Sequence, residues 1–507
     1  MRIVVIGSGF GGLSAAIRLR AQGHDVTIAE KRDRAGGRAY VFEQQGFTFD
    51  AGPTIITAPE LIDDLFAAAG ARTADYVTLV PIDPFYTIRF QDGSAFRYSG
   101  DRERMIREIQ KFNPDDVAGY LQLSAAAARI YEAGFPLIDR PFSHIGDMLR
   151  VAPTLVRLRA DRSVASLVNR YIRDPRLRQV FSFHPLLVGG HPFRSTSIYA
   201  LIHTLEQRGG VWFAMGGTGA LVDALVRVFR DNGGAVRLNA EVSEIVVDVH
   251  TRRATGVRLV SGETIPADIV VSNSDVASTY LHLVPERFRR IESDRKIHGR
   301  SYSMSLFVLY FGTDRQYENI GHHEILMGPR YRELLDDVFV HKRLASDFSL
   351  YLHRPTATDP SLAPPGCDAW YVLSPVPHLG GETDWDAAAR PYRDAIVRYL
   401  EARYLPDLSR HIVTERSVDP RYFRDALNSH LGSAFSVEPT LTQSAWFRPH
   451  NRSQDVANLY CVGAGTHPGA GVPGVISSGK IAADMIAADT IGHPEAIRVR
   501  TPLAVTG

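Results

Sequence analysis

The 507-residue sequence predicts an α/β fold, built as a discontinuous nucleotide-binding domain with a partly helical α+β domain inserted into it. Two observations predict it. The first thirty residues carry a strand, a glycine turn, a helix and a second strand, and the last fifty carry another strand that runs into glycines and a helix. Elements of one site at opposite ends of a chain must converge, so the long stretches between them must leave the domain and return. A chain of this length also holds more than one core.

Ile3 to Ile6 is a short apolar run suited to a buried parallel strand. Gly7, Gly9 and Gly12 follow at the spacing G-x-G-x-x-G. Gly7 permits a tight turn, Gly9 lets a pyrophosphate approach the backbone, and Gly12 lets the next helix pack on the strand. Leu13, Ala16, Ile17 and Leu19 recur at helical spacing and Gly23 ends that helix, so the helix start faces the phosphates. Val26 to Ala29 is a second strand, and Glu30 stands at its end, 18 positions past Gly12, where a carboxylate accepts from ribose hydroxyls. Glycine-rich turns also arise by chance, but here every part falls in order. The expectation is a Rossmann-like fold holding an adenine dinucleotide.

The run Arg34-Ala35-Gly36-Gly37-Arg38 follows directly. Read as an ordinary loop it means nothing; read with the first turn, its glycines offer close backbone approach and its arginines offer charge to the pyrophosphate or the ribityl chain. The C-terminal end favours the second reading. NLYCVGAG (Asn458 to Gly465) is a buried strand entering Gly463, Ala464 and Gly465, and a helix is predicted to start near Pro473 with the N–H groups of Gly474 and Val475 pointing outward. Such a positive helix start stabilises the anionic edge of a reduced flavin, so FAD is the expected cofactor. The cofactor domain is accordingly assigned to residues 1–80, 215–300 and 435–507, with AVRLNAEVSEIVVDV (Ala235 to Val249) and ADIVVSNSD (Ala267 to Asp275) as strands. Val242 is placed where a backbone contacts adenine, and Asn273 ends a strand at the cofactor face. Residues 81–214 and 301–434, richer in helix and aromatics, form the expected substrate domain.

Composition narrows the partners. A net charge of +1 provides no global attraction to nucleic acid or anionic lipid, and no nucleic-acid partner is expected. Cys367 and Cys461 lie too far apart for a disulfide framework or metal knuckle. His184, His191 and His203 lack metal-ligand spacing and read as structural, so no metal is expected. No apolar run approaches a membrane span, and the nucleotide fold already begins at Arg2. A cytoplasmic chain without a signal peptide is the expectation.

VIGSGFGGL (Val5 to Leu13) and GGRAY (Gly36 to Tyr40), and loosely GAGTHPGAGVPGVISSGK (Gly463 to Lys480), suit any flavin oxidase, whereas GFTFDAGPTIIT (Gly46 to Thr57), FSFHPLLVGGHPF (Phe181 to Phe193), WFAMGGTGALV (Trp212 to Val222), SLFVLYFG (Ser305 to Gly312) and GSAFSVEPTLTQSAWFRPHNR (Gly432 to Arg452) include stretches more specific than that. On these, nearly end to end, the sequence resembles the bacterial and fungal type of phytoene desaturase, a carotenoid-desaturase family of FAD-dependent, amine-oxidase-like flavoproteins. The resemblance implies bound FAD and stepwise desaturation of the linear C40 hydrocarbon 15-cis-phytoene toward lycopene, by hydride transfer to flavin N5 with loss of the adjacent proton. It extends the cofactor contacts to Phe10, Gly11, Lys31, Thr54 and Ile55. Related members act on other C30 or C40 polyenes by desaturation, isomerisation or oxygenation. A flavin amine oxidase and a non-catalytic prenyl-binding chaperone of the same fold are the further alternatives.

A hydrocarbon offers no polar handle, so binding must come from shape and apolar contact. Phe181 to Gly190, Ile198 to Leu205 and Ser305 to Phe311 supply side chains suited to a tunnel wall, plain core being the other reading. Burying about forty carbons at ~0.8 kcal/mol per methylene amounts to ~30 kcal/mol relative to water, which places the substrate in a bilayer. Peripheral docking on the membrane surface follows, and Pro141 to Val168, with Arg150, Arg157, Arg159 and Arg162 among Leu, Val and Met, suits an interfacial helix or a solvated one. Dioxygen or a membrane quinone is the expected electron acceptor. Asp147 and Arg150 stand at helical spacing as a candidate proton acceptor and stabiliser, or as a surface ion pair. Glu438 carries no role derivable from its surroundings in sequence.

Overall fold

A computed structural model describes residues 1–492; the stretch 493–507 of the third expected cofactor segment lies outside the described residues. At the centre of the cofactor half is a five-stranded sheet in the order Leu459–Cys461, Ile269–Ser272, Arg2–Ile6, Asp25–Ala29 and Ala235–Arg237, with every neighbouring pair parallel. Arg2–Ile6 is the middle strand and is covered on both faces, so it reads as a continuous apolar run and not as an alternation. The helices Phe10–Ala21 and Val472–Gly492 lie directly on each other: Ser14 Oγ donates to the Ile476 carbonyl at 2.7 Å, and a Cβ added at Gly479 would sit 2.6 Å from that of Ser14. That small-residue contact is how the two ends of the chain meet.

The stretch Ala235 to Val249 is not one strand. The chain breaks at Asn239, in the left-handed region at φ +52°, and Val242–Val247 leaves the parallel sheet to join Ala254–Leu259 and Thr264–Pro266 in a separate antiparallel one. Asparagine tolerates this conformation better than Leu238 or Ala240 beside it, which gives the break its position.

The inserted half is organised by a seven-stranded sheet, ordered Ile412–Val418, Ser305–Thr313, Asp368–Val376, Leu350–His353, His323–Leu326, Tyr86–Arg89 and Ala95–Tyr98. The parallel pairing of Tyr86–Arg89 with His323–Leu326 joins its two sequence segments. Ser305–Thr313 is buried along its whole length, with Phe307 stacked near Trp385 and Phe311 near Trp370. The expectation that Ser305 to Phe311 walls a tunnel is therefore corrected: it is a central strand whose side chains pack on both layers, and of these residues Leu306 reaches the cavity described below. Helix Ile145–Arg157 is of another kind, with no buried residue at all.

Candidate active site

The turn after Arg2–Ile6 is held from behind by Asn273, whose N–H donates to the Ile6 carbonyl at 2.8 Å from the neighbouring strand. The turn leaves no room for side chains. A Cβ at Gly9 would lie 2.8 Å from Asn273 Nδ2, one at Gly11 2.7 Å from Asn273 Oδ1, and one at Gly12 2.2 Å from the Gly7 carbonyl oxygen. Gly7 itself sits at φ +86°. Across the turn stands the second glycine loop, where a Cβ at Gly37 would fall 3.3 Å from Gly9 Cα. Glu30 is buried, and its carboxylate accepts from Ser8 N–H at 2.8 Å, Ser8 Oγ–H at 2.6 Å and Arg32 N–H at 3.0 Å. It thus clamps the turn as well as lining the cavity. Phe10, Gly36, Ile55, Val242, Ala464, Gly465, Pro473 and Gly474 line the same space.

Several polar groups are engaged otherwise than expected. Lys31 Nζ donates to the Asp425 carbonyl at 2.9 Å and Asn428 Oδ1 at 2.8 Å, tying the cofactor half to the inserted half. Arg34 pairs with Glu43 and Asp223 at the surface and contributes no charge to a pyrophosphate. Arg38 is half-buried at the cavity wall, donating to the Ala434 carbonyl at 2.8 Å and Ser429 Oγ at 2.6 Å, and desolvation draws its pKa down. Val475 N–H is not free: it donates to the Gly471 carbonyl at 2.9 Å, being the first donor of the helix with a carbonyl four residues behind it. The open donors of that first turn are Val472 and Gly474, since proline has no N–H.

Two residues that local pattern does not single out hold the segments together. Asp50 accepts from Thr218 N–H at 2.7 Å and Gly219 N–H at 3.0 Å at the start of helix Gly217–Asp231, and burial pushes its pKa up to about 6 against those two donors. Arg448, fully buried, donates to the carbonyls of Val437 at 3.0 Å, Ala464 at 2.7 Å and Thr466 at 3.1 Å, which fixes the Gly463 to Gly465 loop. The cradle fits FAD: paired glycine loops without space for Cβ, a carboxylate at the ribose end, and helix starts aimed at the same space.

The cradle opens into a cavity of about 1310 Å³, larger than the ~300–1,000 Å³ of a site for one drug-sized ligand. Its far half is apolar, with Leu186, Leu187, Val188, Ile198, Ile202 and Leu205 from two of the stretches picked out in the sequence. Phe181 is instead core, 5.3 Å from the Tyr120 ring. Two glutamates belong to this part of the lining: Glu132, exposed and paired with Arg208 at 2.6 Å, and the buried Glu206. Glu206 is 0% exposed, accepts from Tyr86 OH at 2.7 Å, and lies 3.2 Å from His184 Nε2. Tyr98 hydrogen-bonds His203 beside it, and burial lowers His203 to about 3, keeping it neutral. Thr54 Oγ1, also at the wall, is 2.6 Å from Tyr351 OH. His191 lies elsewhere, 3.1 Å from Asp336 and lowered by burial to about 4.

Helix Ile145–Arg157 forms the mouth. Met148, Val151 and Leu155 line the cavity, whereas Ile145, Leu149 and Val156 are exposed to solvent beside the segment carrying exposed Leu441 and Phe447. Asp147 does not line the cavity: its carboxylate accepts from His144 N–H at 3.0 Å in a capping box. Arg150 Nη1 is 3.7 Å from Asp147 and its side chain is 81% exposed. The geometry provides a helix cap and a surface pair at the rim, because positions i and i+3 on a helix meet each other before they meet anything else. Glu438 is buried, 3.9 Å from Arg194, with its pKa raised by burial. Among the described residues no helix is long and apolar enough to cross a membrane.

Residues 10–487 match the family described as flavin containing amine oxidoreductase. The chain is 51% identical over 490 residues to a lycopene-forming phytoene desaturase of Pseudescherichia vulneris, covering 96% of this chain and 99% of that one. It is 45% identical over 509 residues to a neurosporene-forming phytoene desaturase of Rhodobacter capsulatus, covering 99% and 96%. Among solved structures it resembles cyclohexylamine oxidase from Brevibacterium oxydans, with a TM-score of 0.63 at 17% identity over 97% of this chain and 99% of that one, a likeness of fold.

Proposed function

Because the chain belongs to the flavin containing amine oxidoreductases and, among them, to the phytoene desaturases, we propose that it desaturates the linear C40 hydrocarbon 15-cis-phytoene stepwise to lycopene. The observation that carries the reading is the continuity of a dinucleotide cradle with a long apolar compartment in one cavity. When bound, FAD supplies the hydride acceptor. The glycine loops, Glu30 and the helix start at Val472 hold it, and Arg38 places a half-buried positive charge at the cavity wall.

The substrate has nothing to ionise, so the protein positions it by shape. Leu186, Leu187, Ile198, Ile202 and Leu205 exclude water along the chain. Glu206, oriented by Tyr86 and His184 just behind the apolar wall and with no face open to the cavity, places a buried carboxylate where it stabilises positive charge that develops on the carbon chain. Asp147 and Arg150 order the mouth helix. The enzyme docks peripherally on the cytoplasmic face of a bilayer through Ile145, Leu149 and Val156 with Leu441 and Phe447, the basic residues of the same segment facing the headgroups. Electrons leave to dioxygen or to a membrane quinone.

The test is conversion in liposomes holding phytoene, with FAD-loaded protein and chromatographic identification of the coloured product. Lycopene is the expected product. Accumulation of neurosporene limits the reading to fewer steps; hydrogen peroxide from amines with no carotenoid formed replaces it with an amine oxidase, and a colourless purified protein replaces it with a chaperone.

A further inference from the structure

Away from the cofactor cavity, three histidines from two neighbouring strands meet inside the inserted half. His322 and His323 lead into strand His323–Leu326, and His353 ends the antiparallel strand beside it, directly opposite His323. They are 8%, 2% and 1% exposed, and one ring nitrogen from each lies within 4.8 Å of the others. The hydrogen bonding is lopsided. His322 Nδ1 is 2.6 Å from Thr358 Oγ1 and His323 Nδ1 is 2.7 Å from Tyr351 OH, while Nε2 of both, and both nitrogens of His353, have no partner among the described residues.

With the two hydroxyls accepting, each Nδ1 carries the proton and each Nε2 presents a bare lone pair into the cluster. That is the arrangement that orients metal-bound imidazoles, whose second nitrogen donates outward to a fixing group. Native interiors rarely leave four buried ring nitrogens unmatched in one place. The nearby Arg354 is paired with Asp368 at 3.2 Å.

We infer that His322, His323 and His353 form a buried site for one divalent transition-metal ion of the zinc class, ligated by three imidazole nitrogens with a water in the fourth position. Nitrogen donors without a carboxylate select zinc, nickel or copper over calcium or magnesium. Bonds of about 2.0–2.1 Å require the rings to draw closer than they stand here, and His353, with two free nitrogens, is the one able to turn. A polar recess of about 740 Å³, lined by His322, His323, Asp83 and Glu108, gives the ion a route in. Once bound, the ion cross-links the strands His323–Leu326 and Leu350–His353 next to Tyr351, whose hydroxyl also meets Thr54 at the cofactor cavity at 2.6 Å.

The test uses untagged, FAD-loaded full-length protein, stripped with a chelator, re-equilibrated with zinc sulfate and freed of excess by gel filtration. Mass spectrometry for metal is expected to find about one zinc per chain, and X-ray absorption at the zinc edge about three imidazole nitrogens near 2.0 Å. His322→Gln and His353→Gln, checked for retained flavin, are each expected to weaken zinc binding at least ~100-fold. Zinc below about 0.1 per chain, an oxygen-dominated shell, or undiminished binding in the folded variants overturns the inference. Should the variants fail to retain flavin, the stoichiometry and absorption spectrum of the unaltered protein decide it.

Discussion

Replacing Ile145, Leu149 and Val156 together with serine removes the apolar face that the mouth helix turns to solvent. These side chains are 51%, 67% and 75% exposed, so each still has roughly that share of its ~1.5–3 kcal/mol of full burial to gain on entering lipid. Together the three shares amount to ~3–6 kcal/mol, or about two to four powers of ten in membrane partitioning. None of the three is buried in the fold, so thermal stability should change by no more than ~0.5 kcal/mol per site. Co-sedimentation with zwitterionic phosphatidylcholine vesicles at physiological salt measures the partitioning without headgroup charge, and flavin absorbance confirms the fold. A loss of at least a hundredfold is expected, with lycopene formation from vesicles falling alongside it. A triple variant that binds such vesicles within threefold of the parent would show that docking lies on another surface.

Three further outcomes test the cradle and the wall. Gly12→Ala puts a Cβ 2.2 Å from the Gly7 carbonyl, which only separation of the helix from the strand by about 1 Å relieves; the protein should purify with at least tenfold less flavin, and a full complement refutes the packing argument. Asp50 is raised from 3.8 to about 6 in the folded state, so the unfolded chain releases this proton first; stability should fall as pH rises from about 4 to about 6, by ~3 kcal/mol in total, and Asp50→Asn should flatten that slope in urea titrations. Glu206→Gln preserves the shape and the Tyr86 contact but removes the charge; kcat is expected to drop ~100-fold or more with KM within threefold, and unchanged kcat assigns Glu206 to structure alone.

Much of the cofactor site was legible because its chemistry is local. Gly7, Gly9 and Gly12 act through missing Cβ atoms over six consecutive residues, and Glu30 through its place at the end of the next strand. Length limits this legibility. Val475 differs from Gly474 only by which of them first finds a carbonyl four residues back, and Lys31 and Arg34 reach partners that arrive from Asp425, Asn428 and Asp223. Asp147 and Arg150 look alike in sequence whether they face a substrate or each other. Glu206 and its partners Tyr86 and His184, and the histidine trio, left no spacing to read, because each group is assembled across a sheet or between helices and a strand.

By itself the amino-acid order determined that glycine loops from both ends of the chain would line one cradle, since backbone conformation, helix starts and strand patterning are set by near neighbours. Only the tertiary structure decided where each long polar side chain points, which strand is wall and which is core, and which helix is left with apolar residues facing out. Those outcomes depend on what packs against a residue from a hundred positions away, and neighbours in sequence carry no record of it.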